Sequence, residues 1–403
     1  MTHKNKFMQF FWETSSGVNA VPICAAGAAK VSVSPIVRPK TLHFLANPAS
    51  IHVRQWVELL GLEYRIVIYC IGEEAGEWTT CSNTTVQAPL PEFLKVLPIA
   101  VRYCCLGVWL RFKAVKIPFL HVHNSSGYGL AALLSGRNFF LTTYGSEIFD
   151  SHRRGSLYRA VLSRVLASAK HVTSSAEAMK EYLVGDMGIP PGKISVFSLG
   201  VAKEFEGYKS DRHNRSINDP IWISNRRILP LYCIQEIVDA FKVYKKAGGR
   251  GRLLLLNGDA SGDYSEGVYN SITQFGGDIS LVREMVSREH VIKLLRSSTF
   301  CISLPYTDQL SSSILEGMSQ GSIPILRPLR SYASILNCAI EVDDTGDLQS
   351  ALLNIFQITA RMSTDEILTY SERSINLVNS RFSRGSAASC YLQILGQMDS
   401  EID

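Results

Sequence analysis

Two carboxylates stand close together in the second half of the chain, and their spacing suggests sugar binding. Asp308 follows an apolar segment predicted as a buried strand (TFCISLP, 299–305), and Glu316 lies eight positions later in a predicted helix. The residues between them include a run of three serines: Ser311, Ser312 and Ser313. Serine is favoured at helix N-termini, where free N–H groups and the helix dipole attract anions such as diphosphate. Carboxylates only accept hydrogen bonds, so the pair can hold sugar hydroxyls; alternatively, Asp308 caps the helix and Glu316 is solvated.

Two adjacent arginines supply the cations that a diphosphate needs. Arg226 and Arg227 follow a predicted strand (PIWIS, 220–224) and precede a predicted helix that includes IQEIVDAFKVYKKAG (234–248); Tyr232 lies two residues before this segment. Guanidinium groups bind phosphate oxygens in a fork geometry. A solvated turn is the alternative. Gly258 lies in the turn after the apolar run RLLLL and is a weaker phosphate-site candidate, because isolated glycine turns are common.

Short apolar segments that alternate with helix-like segments must position these groups. This alternation covers residues 41–205, is interrupted by a polar stretch (206–220) and continues from 221 to 375. Such alternation predicts α/β domains with parallel, doubly wound sheets, whose ligands bind at the carboxyl ends of the strands. We therefore predict two Rossmann-like domains facing across a cleft, with a linker at 206–220. Residues 1–40 are expected to be an extension, and the helical stretch 376–403 is expected to return to the first domain.

Composition narrows the function further. The 403 residues are 46% hydrophobic and 19% charged, which excludes a mainly disordered protein. No apolar run of 18 residues predicts a membrane span, the N-terminus does not resemble a secretory leader, and the nine cysteines form no C-x-x-C pair, so a cytoplasmic location is expected. Residues 1–205 hold 21 Lys and Arg against 13 Asp and Glu, so the first half favours anionic partners. No nucleic-acid-binding module is recognisable, and nucleic acid is not expected as a partner.

The segment LEGMSQGSIPI (315–325) resembles the signature of family-four glycosyltransferases of the GT-B fold, in which two glutamates are separated by seven residues. The resemblance implies that Glu316 grips the ribose of a nucleotide-sugar donor and that Asp308, in place of the first glutamate, meets the donor sugar. The segment around Arg227 resembles the family's G-R-L-x-x-x-K-G, with Tyr232 at the lysine position. The similarity covers roughly residues 41–390.

In the first domain, TTYGSEI (142–148) resembles the family's T-x-H-G-S-D, with Tyr144 in place of histidine and Glu147 in place of aspartate. The run 171–205 also resembles a family segment. By this resemblance Asp308, Tyr144 and Arg227 are expected in catalysis. Five residues are expected to border the acceptor: Asn47, Ser50, His52, His123 and Glu147. His121 and His123 could ligate zinc, but the sequence near them offers no third ligand.

The resemblance implies a retaining, metal-independent hexosyltransferase that uses a UDP- or GDP-sugar and requires no cofactor. A glycan or lipid-linked acceptor is expected, in surface polysaccharide, lipopolysaccharide or lipid-linked glycan synthesis. The basic, aromatic segment 93–117 is typical either of a helix at an anionic membrane surface, at the inner face of the plasma membrane, or of a core helix. Two alternatives stay open. A sugar-nucleotide epimerase would share the fold, and a decayed enzyme acting as a binding or scaffold protein would explain the departures at Tyr144, Ala202 and Tyr232.

Overall fold

A computed structural model describes residues 41–61, 63–73, 83–113, 117–209, 219–256, 262–273, 275–284, 286–343 and 345–399. The predicted extension 1–40 and Gly258 lie outside these ranges. The described chain forms one unit that contains two parallel sheets flanked by helices. The predicted fold class is therefore confirmed.

The first sheet has seven parallel strands in the order β3-β2-β1-β4-β5-β6-β7. Its elements are β1 (Thr41–Leu45), α1 (Ile51–Leu60), β2 (Arg65–Tyr69), β3 (Thr84–Gln87), α2 (Ile99–Phe112), β4 (Leu120–His123), α3 (Gly127–Ser135), β5 (Phe139–Thr142), α4 (Ser146–Phe149), α5 (Ser156–Ser168), β6 (His171–Ser174), α6 (Glu177–Gly185) and β7 (Ile194–Val196). The strand order reverses between β1 and β4, which places a ligand crevice beyond the carboxyl ends of these two strands.

The second sheet has six parallel strands in the order β10-β9-β8-β11-β12-β13. Its elements are β8 (Ile221–Ser224), α7 (Ile234–Lys246), β9 (Arg252–Leu256), α8 (Asp263–Thr273), β10 (Ile279–Val282), α9 (Arg288–Ser297), β11 (Phe300–Ser303), α10 (Ser312–Ser319), β12 (Ile323–Leu326), β13 (Ile340–Glu341), α11 (Leu348–Thr359) and α12 (Thr364–Arg381). A further helix, α13 (Arg384–Asp399), follows them in the chain. Here the order reverses between β8 and β11, so Arg226 and Asp308 both follow strands of the switch point.

Both faces of each sheet are covered, which explains the continuous apolar runs of the strands. In β2, Ile66 and Ile68 join the core beneath α1, whereas Val67 and Tyr69 join the core on the opposite face. Successive side chains of a strand point to opposite faces, and a sheet buried on both sides must therefore be apolar at every position.

The chain crosses between the two sheets twice, at neighbouring points. The outward crossing follows Gly200 and the return lies at Phe382, between α12 and α13. The Val201 N–H donates to the Phe382 carbonyl oxygen at 3.0 Å. Gly200 has φ +72°, and a Cβ atom there would lie 2.1 Å from the same oxygen, so only glycine fits this approach. The predicted boundary at 375/376 falls inside α12.

The last helix, α13, packs onto the first sheet. Tyr391, Ile394 and Leu395 lie in one core with Phe44 and Trp56. The Tyr391 side chain is fully buried there. The first domain is thus built from two separate parts of the chain.

Ion pairs reinforce the crossing. Glu58 on α1 accepts from Arg384 at the start of α13 at 2.9 Å, and it lies 3.5 Å from Arg288 at the start of α9. Arg288 also pairs with Glu204 of the outward crossing at 3.0 Å. The Glu58 carboxylate therefore connects elements of both domains.

Candidate active site

Asp308 lies in the loop between β11 and α10, and its carboxylate is fully engaged in hydrogen bonds. One oxygen accepts from Arg226 Nη2 at 2.7 Å and from the Tyr332 hydroxyl at 2.8 Å. The other oxygen accepts from the Gln309 N–H at 2.9 Å. These bonds hold the loop against the second sheet. Asp308 is the sequence-predicted sugar-binding carboxylate, and its geometry favours a positioning role in the loop.

The two sequence-predicted arginines differ in their surroundings. Arg226 is buried: it bonds Asp308 and the Ser311 hydroxyl, and its guanidinium carbon lies 4.1 Å from the centre of the Tyr232 ring. Stacking against an aromatic ring stabilises a cation. Arg227 is exposed and makes no ion pair with the part of the chain that is described. Arg227 is therefore the more accessible cation for an entering anion.

The predicted serine run forms the start of α10. Ser311 is the N-cap, and Ser312 and Ser313 are the first helical residues; all three are half-buried. The Ser311 side chain makes no cap hydrogen bond. Asn225, between β8 and Arg226, donates to the Ser313 carbonyl oxygen at 3.0 Å and ties the helix start to the strand end. The positive end of the α10 dipole therefore lies beside the arginines, an arrangement suited to an anion.

Glu316 lies on the second turn of α10, where it is half-buried. Burial raises the pKa of its carboxyl to about 7; nearby Arg288 lowers the pKa and Glu204 raises it. No hydrogen bond or ion pair joins its carboxylate to the described ranges of the chain. Such a group has unused acceptor capacity in a partly desolvated position, which suits hydroxyl donors.

The sequence-predicted acceptor residues begin where β1 meets α1. Asn47 accepts from the Ala49 N–H at 2.7 Å through its side chain and shapes this loop. Ser50 is the N-cap of α1 but makes no side-chain cap bond. His52 stacks on Tyr144, with ring centres 4.6 Å apart, and partial burial lowers its pKa. The loop thus brings His52 to the end of β5.

A ring cluster connects the two strands on this side. The Tyr144 hydroxyl and His123 Nδ1 are 2.7 Å apart. Burial lowers the pKa of His123 to about 3, so its ring is neutral. The His121 ring stacks on it but bonds Thr142 at 3.0 Å. Each histidine bonds a neighbour through one ring nitrogen, whereas His123 Nε2 is buried without a hydrogen-bond partner among the described residues. No group of three metal-ligating residues occurs in the described ranges.

Glu147 is buried beneath the loop that carries Tyr144. Its carboxylate accepts from the Tyr144 N–H at 2.8 Å, and only 2% of the residue is exposed. Burial raises the pKa of this carboxyl, partly offset by the hydrogen bond. The geometry favours a role in fixing the loop rather than in touching an acceptor directly.

The segment 93–117 contains α2, whose outward side is apolar. Lys116 lies outside the described residues, Arg102 is turned inward onto the Ile71 carbonyl oxygen, and Lys95 pairs with Glu92. Six apolar side chains of this segment are exposed: Phe93, Val96, Ile99, Val101, Val108 and Phe112. We call these six residues the α2 ridge. No described helix is long and apolar enough to cross a bilayer.

Three contacts at the cleft were not predicted. Tyr332 holds Asp308, and Arg288 acts on the Glu316 carboxyl. Gln309 extends from the second domain and bonds Ser175, which follows β6 of the first. The sequence carries no signal for these contacts, because each of them joins two distant segments of the chain.

Comparison with known proteins supports the fold described above. Residues 50–200 match the family model described as "Glycosyl transferase 4-like domain". No curated protein sequence matches the chain. Three similar solved structures are a glycosyltransferase from Rickettsia africae (16% identity, TM-score 0.68, covering 90% of this chain and 99% of that one), sucrose-phosphate synthase from Thermosynechococcus elongatus (15%, 0.69, 90% and 100%) and Anabaena HepE in complex with UDP-glucose (12%, 0.66, 89% and 99%). At these identities the likeness establishes the shared two-domain fold.

Proposed function

Since residues 50–200 match the model of a glycosyl transferase 4-like domain and the chain shares its two-domain fold with solved glycosyltransferases, we propose that the protein transfers a sugar from a nucleotide-sugar donor to an acceptor hydroxyl. The observation that carries this proposal is Glu316. Its carboxylate is half-buried without a protein partner in the described ranges, and it lies on the helix whose N-terminus faces Arg226. A ribose hydroxyl would supply the missing partner.

On the donor side, the diphosphate would lie between the N-terminus of α10 and Arg227. Negative charge grows on the leaving diphosphate as the glycosidic bond breaks, and fixed N–H groups and a guanidinium stabilise it without reorganisation. In this proposal these groups neutralise the charge of the diphosphate, and no metal ion is needed. Arg226 orients Ser311 and Asp308 and adds positive potential from beneath.

On the acceptor side, His52, Tyr144 and His123 form one wall. We place the acceptor hydroxyl beside this wall and assign a retaining reaction, in which the leaving phosphate takes the acceptor's proton. Closure of the two domains would exclude water and limit donor hydrolysis.

The acceptor is proposed to be a growing glycan on a lipid carrier, and the protein a peripheral one at the inner face of the plasma membrane. The α2 ridge supports this, because Val96 and Phe112 are 87% and 80% exposed and Arg111 lies next to Phe112. Apolar side chains flanked by cations insert at an anionic bilayer surface.

A flotation assay tests the membrane proposal with vesicles of neutral and anionic lipids. Replacing Val96 and Phe112 with serine should abolish flotation on anionic vesicles. Val243→Ser, an equally apolar exposed position on α7 of the second domain, is the matched control and should float like the wild type. If the wild type does not float, the membrane proposal is wrong and the proposed sugar transfer is unaffected.

A thermal-shift screen tests the donor site. The panel contains UDP, GDP, ADP, CMP and their sugar conjugates, with and without EDTA. One nucleotide and its conjugate should stabilise the protein, independently of EDTA, and Glu316→Ala should lose the effect. The control is Glu289→Ala, which removes an exposed glutamate on α9 that pairs with Lys293. If no nucleotide stabilises the wild type, the donor site is refuted and a scaffold function is favoured.

A further inference from the structure

Gln309 is one of the residues through which the second domain contacts the first. Its side-chain Oε1 accepts from the Ser175 hydroxyl at the carboxyl end of β6. Its backbone N–H is fixed by Asp308 at 2.9 Å. Because both the backbone of Gln309 and its side-chain oxygen are fixed by hydrogen bonds, the direction of the carboxamide is defined.

The other end of the carboxamide has no partner. Gln309 Nε2 is shielded from solvent and makes no hydrogen bond to the described residues. It lies against Gly145, where an added Cβ would be 2.8 Å away, and Gly145 has φ +114°. The first-domain loop can pass this close to the amide because position 145 is glycine. A buried N–H₂ group without an acceptor is unfavourable, so a ligand oxygen would stabilise it.

The neighbours of this amide indicate which part of a ligand would supply the oxygen. On the first-domain side, Tyr144 adjoins Gly145 and contributes to the proposed acceptor wall. On the second-domain side, Asp308 connects Gln309 to Arg226 and to the proposed diphosphate site. A group between the diphosphate and the acceptor is the sugar that is transferred.

We propose that Gln309 is a specificity-determining residue whose Nε2 donates a hydrogen bond to a hydroxyl oxygen of the transferred sugar. The proposal rests on the glycosyltransferase function proposed above and deepens it. In this proposal Gln309 does more than connect the two domains: Ser175 orients its carboxamide, and a sugar hydroxyl accepts the hydrogen bond that Nε2 donates.

The test compares a nucleotide diphosphate with its matching nucleotide sugar, beginning with UDP and UDP-glucose, by isothermal titration calorimetry. Gln309→Met keeps the length of the side chain and removes its hydrogen bonds. It should leave the affinity for the nucleotide unchanged and weaken that for the nucleotide sugar about three- to ten-fold, the effect of one neutral hydrogen bond. Ser175→Ala is the matched comparison: it removes only the orienting bond, so it should weaken nucleotide-sugar binding less than Gln309→Met does, because Nε2 is still present.

Each outcome separates the two proposals. Nucleotide binding with an unchanged affinity ratio in Gln309→Met overturns the assignment of Gln309 and leaves the donor site intact. Equal weakening of both ligands by Gln309→Met and Ser175→Ala would identify a latch between the domains and also overturn the assignment. No binding of any nucleotide by the wild type refutes the donor site and with it the sugar contact.

Discussion

Asp308→Ala should destabilise the second domain, because the carboxylate holds a buried cation. The substitution removes the acceptor of Arg226, whose side chain is only 6% exposed, and of the Tyr332 hydroxyl. Breaking a buried ion pair by removing one partner costs about 3–5 kcal/mol. Since the Asp308 side chain is 19% exposed and water can reach the site, we expect about 3 kcal/mol. For a domain of about 150 residues this corresponds to a fall in Tm of about 6–12 °C.

The assay is thermal and urea unfolding of the wild type, Asp308→Ala, Arg226→Met and the double variant. The double variant should be more stable than the sum of the single effects predicts, because the cation is removed together with its carboxylate. Glu289→Ala, which breaks an exposed ion pair, should leave the unfolding curves of the wild type unchanged. A cost below about 0.5 kcal/mol for Asp308→Ala, or additive effects in the double variant, refutes the positioning role and favours direct sugar contact.

Further substitutions test the other groups. Burial raises the pKa of Glu316 to about 7, whereas the pKa in the unfolded chain is about 4.3. The folded protein therefore favours the protonated carboxyl. The stability that this preference contributes is fully present below about pH 4 and is lost as the pH rises through 7. Glu316→Gln should therefore be more stable than the wild type by about 1–3 kcal/mol at pH 8 and equally stable at pH 4 in urea unfolding; an unchanged pH dependence would contradict the burial. Since the pKa of His123 is lowered to about 3, His123→Gln should change the rate of transfer but not the shape of its pH profile between about pH 5 and 8, and a displaced acid limb would show that the ring titrates there. Gly200→Ala should cost about 2–4 kcal/mol, because its Cβ would meet the Phe382 carbonyl oxygen at φ +72°, and wild-type unfolding would disprove that close approach.

The fold was predictable because its strands are buried on both faces. Continuous apolar runs between helix-like segments indicate such strands, and β1, β4, β11 and β12 lie where the runs predict them. Peripheral strands carry a weaker signal: β3 is half-buried at every position, and β13 has two residues. Within α1 the residue type alone is a poor guide to burial, since Ile51 is 55% exposed and Val53 is buried. The first turn of a helix can project beyond the sheet, and periodicity does not reveal this.

The site was predictable as a list of residues but not as a set of contacts. The sequence placed Asp308 and Arg226 at strand ends, yet it could not show that they pair with each other, because they belong to different strands. Glu147 was expected to face the acceptor from its residue type and motif. In the structure its carboxylate bonds the backbone of its own loop. The sequence could not predict this contact, because it depends on how α4 packs.

The placement of α13 has a consequence for how the protein is made. Tyr391, Ile394 and Leu395 complete the core around Phe44 and Trp56, so the first domain to leave the ribosome lacks part of its interior until the last helix arrives. Roughly 180 residues separate Phe205 from α13, which at about 5–20 residues per second is a delay of about 10–40 s. During that interval the face of the first sheet beneath α1 stays incomplete, and the second domain is completed just before α13 by α12, whose Val378 lies in its core. A chain that ends after Phe382 should therefore have a protease-resistant second domain and a protease-sensitive first one, the reverse of their order in the chain.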